Sequence, residues 1–498
     1  MKRVVVIGGG LGGLSAGIRL AHAGYSVTLL EKNGSLGGKM GIRTGDGYTF
    51  DTGPTLLTMP FVVRDLFAAT GRRIEDYLHL VPVEPICRYT YSDGTVLDAS
   101  NDLGATAAAI GRLHAGDGEA FSAFLRHGER IYRAAAGPFL FSPFGSHDLT
   151  GIVANARNLS AVLKIDAFRT LDRAVCGYFH DPRVRQMMNR FATYNGSSPY
   201  KAPATLAIIP YVEFAMGGWY VRGGMYRLVS ALVRLAEELG VTLRTGAEVS
   251  RIDMLGRRAT AVALASGETF EADAVVSNAD ALYAFGSLLK ERVNGSVRRY
   301  TRAEPSLAGF VMLLGVEKEF PELAHHNIFF SSDYRTEFDQ LFDEGRPADD
   351  PTVYVSVSCK TDPDHAPAGH SNVFVLVNAP PLTPGLDWEA EKERYGAIVL
   401  RRLEVSGMSG LTAGIRLKEI ITPADFASRY HAYRGSLYGT SSNGRMAAFL
   451  RPPNRLPEFD NLFFVGGSSH PGGGIPLVLL SGGIVARLVQ ERLACDPG

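Results

Sequence analysis

One short segment constrains the whole chain. Residues 3–7 are an apolar run, Gly8-Gly9-Gly10-Leu11-Gly12-Gly13 follows at once, and residues 14–23 carry apolar side chains at helical spacing. Gly24 ends that helix, and residues 26–30 form a second apolar run that stops at Glu31. This is a β-α-β unit. Gly8, Gly10 and Gly13 match GxGxxG: the first allows the tight turn, the second lets backbone approach a pyrophosphate, and the third permits close helix–strand packing. Glu31 stands at the end of the second strand, about 20 residues on, where a carboxylate bonds both ribose hydroxyls and repels a 2′-phosphate, which disfavours NADP. The unit predicts a dinucleotide site without choosing between NAD and FAD. Leu36-Gly37-Gly38-Lys39 chooses. Two glycines and a cation suit a second backbone approach to the same pyrophosphate, which a nicotinamide dehydrogenase does not need.

The other end of the chain carries a similar device. Residues 460–467 read as a buried strand ending in Gly466 and Gly467, and His470-Pro471-Gly472-Gly473-Gly474-Ile475-Pro476 opens a helix over residues 477–489. A strand that runs into a glycine turn and a helix N-terminus brings backbone N–H groups, and the positive end of a helix dipole, to a flat or anionic ligand. Set beside the N-terminal unit, this second turn points to FAD, held between two distant segments.

Between these ends, Asp46-Gly47 makes a hairpin-like turn and Gly53-Pro54-Thr55 a corner. Residues 56–220 change to helices, aromatic side chains and long connections. Phe139-Leu140-Phe141-Ser142-Pro143-Phe144 is an apolar knot with Arg130, Arg133, Arg157, Lys164 and Arg169 around it; it either dips into a lipid surface or is a lid on the protein's own core. Gly223-Gly224-Met225 restarts the nucleotide-binding pattern, with a helix over 226–239 and strands over 241–243 and 248–252. Residues 259–264, 269–270 and 274–277 are read as continuing a small sheet. Val249 sits where a strand either presents backbone to an adenine or lines the solvent side. Residues 281–440 form a separate layer, with strands over 307–316, 352–358 and 372–377 and polar loops such as 335–350 between them.

The expected architecture is therefore α/β: a Rossmann-like FAD-binding domain in three parts (1–60, 221–280 and 441–498), interrupted by a mixed α+β substrate domain (61–220 and 281–440). Its helical portion is a candidate for membrane association. At 498 residues the chain holds two or three domains' worth of core. The formal net charge of zero gives no reason to expect nucleic acid. Cys87, Cys176, Cys359 and Cys495 form no CxxC pair, so neither a zinc site nor a disulfide framework is expected, and a reducing compartment is. His325-His326 and His365/His370 are read as loop residues, with no metal site. No stretch of about 18 uncharged apolar residues escapes glycine and proline, and Met1-Lys2-Arg3 opens a cytosolic strand rather than a signal segment.

Taken together, these residues resemble the carotenoid desaturase branch of the FAD-dependent amine-oxidase-like superfamily, the phytoene and diapophytoene desaturases. The resemblance spans essentially the whole chain. It rests on Gly8–Gly13 with Glu31, on Gly37-Gly38-Lys39, on residues 50–55, on residues 198–203 through 209–213, on Gly223-Gly224-Met225-Tyr226, and most specifically on residues 466–476. It implies that Gly8, Gly10, Gly13 and Glu31 hold the FAD pyrophosphate and ribose, with Gly37, Gly38 and Lys39 supporting the pyrophosphate. Pro54 and Thr55 come near the isoalloxazine, Val249 meets the adenine, and Gly466, Gly467, Ile475 and Pro476 place a helix N-terminus at the flavin. Many relatives carry Arg where this chain has Lys39, so a bidentate contact is not expected there.

The implied reaction is desaturation of an acyclic polyene such as phytoene or diapophytoene: a hydride leaves one allylic carbon for flavin N5, and a proton leaves its neighbour. Oxygen or a quinone takes up the electrons, and the enzyme is cytoplasmic and peripheral to the membrane where such a substrate dissolves. No strong base is demanded, and no catalytic residue is assigned. His470 and Glu213 are the polar residues to test as proton acceptors, against structural roles as a loop-fixing hydrogen bonder and as the partner of a nearby cation. Two alternatives stay open: a carotenoid oxygenase, ketolase or hydroxycarotenoid 3,4-desaturase on the same fold, and a non-catalytic isoprenoid-binding escort protein.

Overall fold

The computed structural model describes residues 1–143, 165–289, 297, 300–444 and 451–495. Arg3–Ile7 is the middle strand of a five-stranded parallel sheet in the order Leu462–Phe464, Ala274–Ser277, Arg3–Ile7, Ser26–Leu30, Thr242–Arg244. A parallel sheet is buried on both faces, and alternate residues of the middle strand serve both sides. Val4 and Val6 join a core with Leu14 and Ile18; Val5 and Ile7 join another with Val262 and Phe464.

The helix Leu11–His22 rests on this sheet and meets the tail helix Ile475–Ala494 at very short range. Ser15 Oγ donates to the Leu479 carbonyl at 2.8 Å. A Cβ added at Gly482 would lie 2.6 Å from Ser15 Cβ and Oγ, so only glycine lets these backbones approach so closely. Residues 464 positions apart in sequence are thereby packed into one layer.

Ala274–Ser277 departs from the sequence expectation. It leaves the small antiparallel sheet, which comprises Val249–Leu255, Arg258–Leu264 and Thr269–Glu271, and pairs instead between Arg3–Ile7 and Leu462–Phe464. All four of its residues are buried, the signature of a strand covered on both faces rather than of a half-solvated one.

A second, seven-stranded sheet stands over the first. Its order is Ile415–Ile421, Ala308–Val316, Ser371–Ala379, Val353–Ser356, His326–Phe329, Cys87–Thr90, Val96–Ala99. All neighbours are antiparallel except His326–Phe329 with Cys87–Thr90. One face is sealed: Phe310, Met312 and Leu314 pack with Trp388, Tyr395 and Val399 of the helix Trp388–Val405. The row Tyr89, Ile328, Tyr354, Leu376, Val311 crosses the opposite face in register.

Three expectations fail here. Residues 56–220 contain the strands Leu80–Pro82, Cys87–Thr90, Val96–Ala99 and Trp219–Val221 among the helices. His325 and His326 are buried at the edge of a strand, not in a loop. Residues 335–350, read as loop, begin with the helix Tyr334–Asp339, capped by Asp333. Of the apolar knot, Phe139 is buried in the helical core and Phe141 packs against the core of the first sheet; Phe144, Arg157 and Lys164 lie outside the described residues. Among those residues no helix is long and apolar enough to cross a membrane.

Gly13 gives a test of this packing. A Cβ there would sit 2.2 Å from the Gly8 carbonyl oxygen, against backbone that cannot turn aside. Gly13→Ala should cost about 3 kcal/mol, whereas Gly24→Ala, at φ +88° but with open space around it, should cost about 1 kcal/mol. Thermal unfolding of the two variants reads the difference, and equal shifts would refute the account.

Candidate functional site

The carboxyl ends of the parallel strands converge on one residue. Asn278 follows Ser277, and its amide donates from Nδ2 to the Gly8 carbonyl at 3.2 Å. A Cβ on Gly12 would lie 2.7 Å from Asn278 Oδ1, and one on Gly466 2.6 Å from the same atom. The two glycine turns thus close on Asn278 from both sides. A third turn joins them, where Gly37 N–H donates to the Gly9 carbonyl at 2.9 Å.

Around these turns lies a cavity of about 500 Å³. Gly8 and Gly10 of the first turn, Gly466 and Gly467 of the tail, and Gly37, Gly38 and Lys39 of the third turn line it. Glu31, Pro54, Thr55, Val249, Ile475 and Pro476 line it too. Gly13 does not; it lies behind the turn, where its missing Cβ lets helix and strand touch. Two helices begin at the cavity, at Gly10 and at Gly474, and neither has a side-chain cap. Their first-turn N–H groups are therefore open to an anion. Glu31 is 5% exposed. Its Oε2 accepts from Gly9 N–H at 2.8 Å and its Oε1 from Asn33 N–H and Nδ2 at 2.9 and 2.8 Å, which fixes the carboxylate with lone pairs to spare. Uncapped helices, crowded glycines and an oriented carboxylate are the donor and acceptor set that a dinucleotide requires.

Lys39 is tied differently from a simple phosphate ligand. Its Nζ donates to the carbonyls of Ser436 and Leu437 at 3.0 and 2.7 Å, pinning that segment over the cradle. Burial pushes its ammonium down to about 8, opposed by the Asp280 carboxylate.

The cavity's other wall is the open face of the seven-stranded sheet. His326 and Ile328, Thr352 and Tyr354, and Phe374, Leu376 and Asn378 line it in steps of two, as side chains alternate along strands. At one edge stands a buried charged group. Arg190 Nη2 pairs with Glu213 Oε1 at 3.0 Å, the Tyr194 hydroxyl donates to Glu213 Oε2, and Arg190 Nε and Nη2 donate to the Tyr89 hydroxyl at 3.0 and 2.7 Å. Glu213 is therefore held as the partner of a cation. Removing one member of such a pair strands a buried charge at a cost of about 3–5 kcal/mol. His470 lies off the cavity, with Nε2 3.1 Å from the Ser142 carbonyl, and burial pushes it down to about 4. Away from the cavity, His114, Asp117 and His180 gather three ligand-capable atoms, but Asp117 is already taken by the N–H groups of His180 and Asp181.

Sequence reasoning missed Asn278, Arg190, His326 and Tyr354. Asn278 had a readable signal: it follows a fully buried strand, and open α/β sheets bind ligands beyond the carboxyl ends of their strands. The other three become neighbours only through the register of the second sheet.

A family model described as flavin containing amine oxidoreductase matches residues 11–490. The chain belongs to that family. As a member it is an FAD-dependent oxidoreductase. It is similar to a 4,4'-diapolycopene oxygenase from Methylomonas sp, 41% identical over 99% of this chain and 98% of that protein. It is also similar to a zeta-carotene-forming phytoene desaturase from Myxococcus xanthus, 37% identical over 99% of this chain and 94% of that protein. Among solved structures, an oxidoreductase from Methanosarcina mazei shares the fold, with a TM-score of 0.67 at 17% identity, over 98% of this chain and 100% of the other.

The lowered Lys39 value makes a pH prediction. Between about 8 and the ordinary 10.5 the folded state holds fewer protons at this group than the unfolded state, so its contribution to stability rises with pH through that window. Denaturant unfolding of the flavin-free protein at pH 8 and pH 10 should show wild type gaining on Lys39→Met; a constant difference would refute the assignment.

Proposed function

We propose that the chain uses FAD to oxidise an acyclic carotenoid-type polyene and that the reaction adds oxygen at the end of the polyene. The observation that carries the reading is the continuity of the cavity, which runs from the glycine cradle to the alternating wall of the second sheet. In this reading the backbone N–H groups at Gly8, Gly10, Gly466 and Gly467 and the helix starts at Gly10 and Ile475 hold the pyrophosphate and flavin, and Glu31 holds the ribose. Gly37 and Gly38 would give the backbone room, Lys39 would add positive charge and Gly13 keeps the helix close; Val249 would serve the adenine, Pro54 and Thr55 the isoalloxazine, and Ile475 and Pro476 would bring a helix N-terminus to the flavin. Bound FAD supplies a two-electron carrier, exchanging electrons with oxygen or a quinone.

The remaining work belongs to this chain's residues. Ile328, Phe374, Leu376 and Val311 offer an apolar surface to a substrate with few hydrogen-bonding groups and keep water from it. Glu213 is committed to Arg190 and Tyr194 through both of its oxygens. A polyene dissolves in the bilayer, so the chain meets it at a membrane surface. The oxygenase among the relatives supports addition of oxygen; the phytoene desaturase supports a second reading, removal of two hydrogens.

Two measurements test these roles. Glu31→Ala should weaken FAD binding about 10- to 100-fold, the worth of hydrogen bonds to a charged group, read by titrating flavin into stripped protein; unchanged affinity would refute the ribose role. Expression in cells that accumulate acyclic polyenes, followed by mass spectrometry, should find products that have gained oxygen. Products that have only lost hydrogen would establish desaturation instead.

A further inference from the structure

The sheet wall of the cavity carries more hydrogen-bonding capacity than a hydrocarbon can use. A guanidinium has five N–H donors. Arg190 spends Nε and Nη2 on Tyr89 and Glu213, while Nη1 has only a long contact of 3.5 Å to the Tyr194 hydroxyl. His326 is 1% exposed and lines the same cavity. Its Nδ1 meets the Tyr354 hydroxyl at 2.7 Å, and its Nε2 has no hydrogen-bond partner. A buried polar atom left unpaired is costly and points to a partner that arrives with the ligand.

The two groups line the same cavity and are linked through Tyr89. Ile328 pairs with Tyr89, the hydroxyl that Arg190 holds. His326 lies two residues from Ile328 on the same face, hence diagonal to Tyr89, within reach of long side chains. We infer that Arg190 Nη1 and His326 Nε2 form a station for a neutral oxygen atom, a hydroxyl or aldehyde carbonyl, at the end of the polyene. The inference rests on the polyene reading above and narrows it to ends that bear oxygen.

Three observations set the chemistry of the ligand. Glu213 already balances Arg190, so a carboxylate would bring an uncompensated charge into a buried site. Burial, the adjacent His325 and the Arg190 charge hold the His326 imidazole well below the ordinary histidine range, which makes it a neutral hydrogen bonder and a poor base. The hydroxyl chain from Thr55 through Tyr354 to His326 can run in either direction. Run toward His326, it leaves a proton on Nε2 for a carbonyl; run the other way, it leaves a lone pair for an alcohol.

The test compares an acyclic conjugated hydrocarbon with its terminal aldehyde of the same carbon count, each titrated in mixed micelles into the flavin-loaded protein, with binding followed by quenching of protein fluorescence. Wild type should prefer the aldehyde about tenfold. His326→Phe should bring the ratio near one, and His326→Gln, which keeps an amide donor and acceptor, should restore most of it. Arg190 is left intact because its removal strands Glu213. Flavin absorption and thermal unfolding verify that each variant is folded. A wild-type ratio of one, or a ratio unchanged in His326→Phe, overturns the station while leaving the polyene reading standing. Failure of wild type to bind either compound overturns both.

Discussion

The amide side chain of Asn278 is the wedge on which the site depends. It hydrogen-bonds the first glycine turn and sits against Gly12 and Gly466 at distances that no Cβ would permit. Three strands distant in sequence end at that one side chain, so the cavity's shape is set by backbone packing rather than by a mobile loop. The tight crossing of the first helix over the tail helix, through Ser15, Leu479 and Gly482, locks the same arrangement from behind. A cradle built in this way is organised before its ligand arrives, so less of the binding free energy is lost to ordering.

The sequence made the cradle readable because its chemistry is local. Gly8 to Glu31 is one supersecondary unit, and the glycines around Ile475 announce a helix start within a dozen residues. The opposite wall was not readable, because its members share no segment. Tyr89, Arg190, His326 and Tyr354 meet only once Cys87–Thr90 pairs parallel to His326–Phe329. Such a pairing leaves no mark in the composition of either strand. Ala274–Ser277 reads as a strand, but its apolar run serves equally as an edge or a centre, so the sheet it joins is not legible. His325 and His326 read as loop because no Cys and no HExxH pattern stands near them, and their burial comes from the sheet.

The two sheets divide the chemistry. The parallel sheet presents backbone donors, helix ends and a fixed carboxylate, a surface for a charged and rigid partner. The seven-stranded sheet presents alternating side chains, apolar in the middle and hydrogen-bonding at one edge. The buried Arg190–Glu213 pair stands at that edge, and an ion pair in an apolar wall contributes little net stability.

The strand order of the parallel sheet also has a kinetic meaning. Leu462–Phe464 pairs with Ala274–Ser277, and Arg3–Ile7 cannot be enclosed on both sides until that middle segment exists. During synthesis the first glycine turn therefore waits for more than 400 further residues before the tail helix can close over it. The β-α-β unit of residues 3–30 is local, whereas its pairing with Ala274–Ser277 and its packing on the tail helix are contacts of long sequence separation. A chain that stops short of the tail helix lacks one wall of the cavity, the stretch that carries Gly466, Gly467, Ile475 and Pro476.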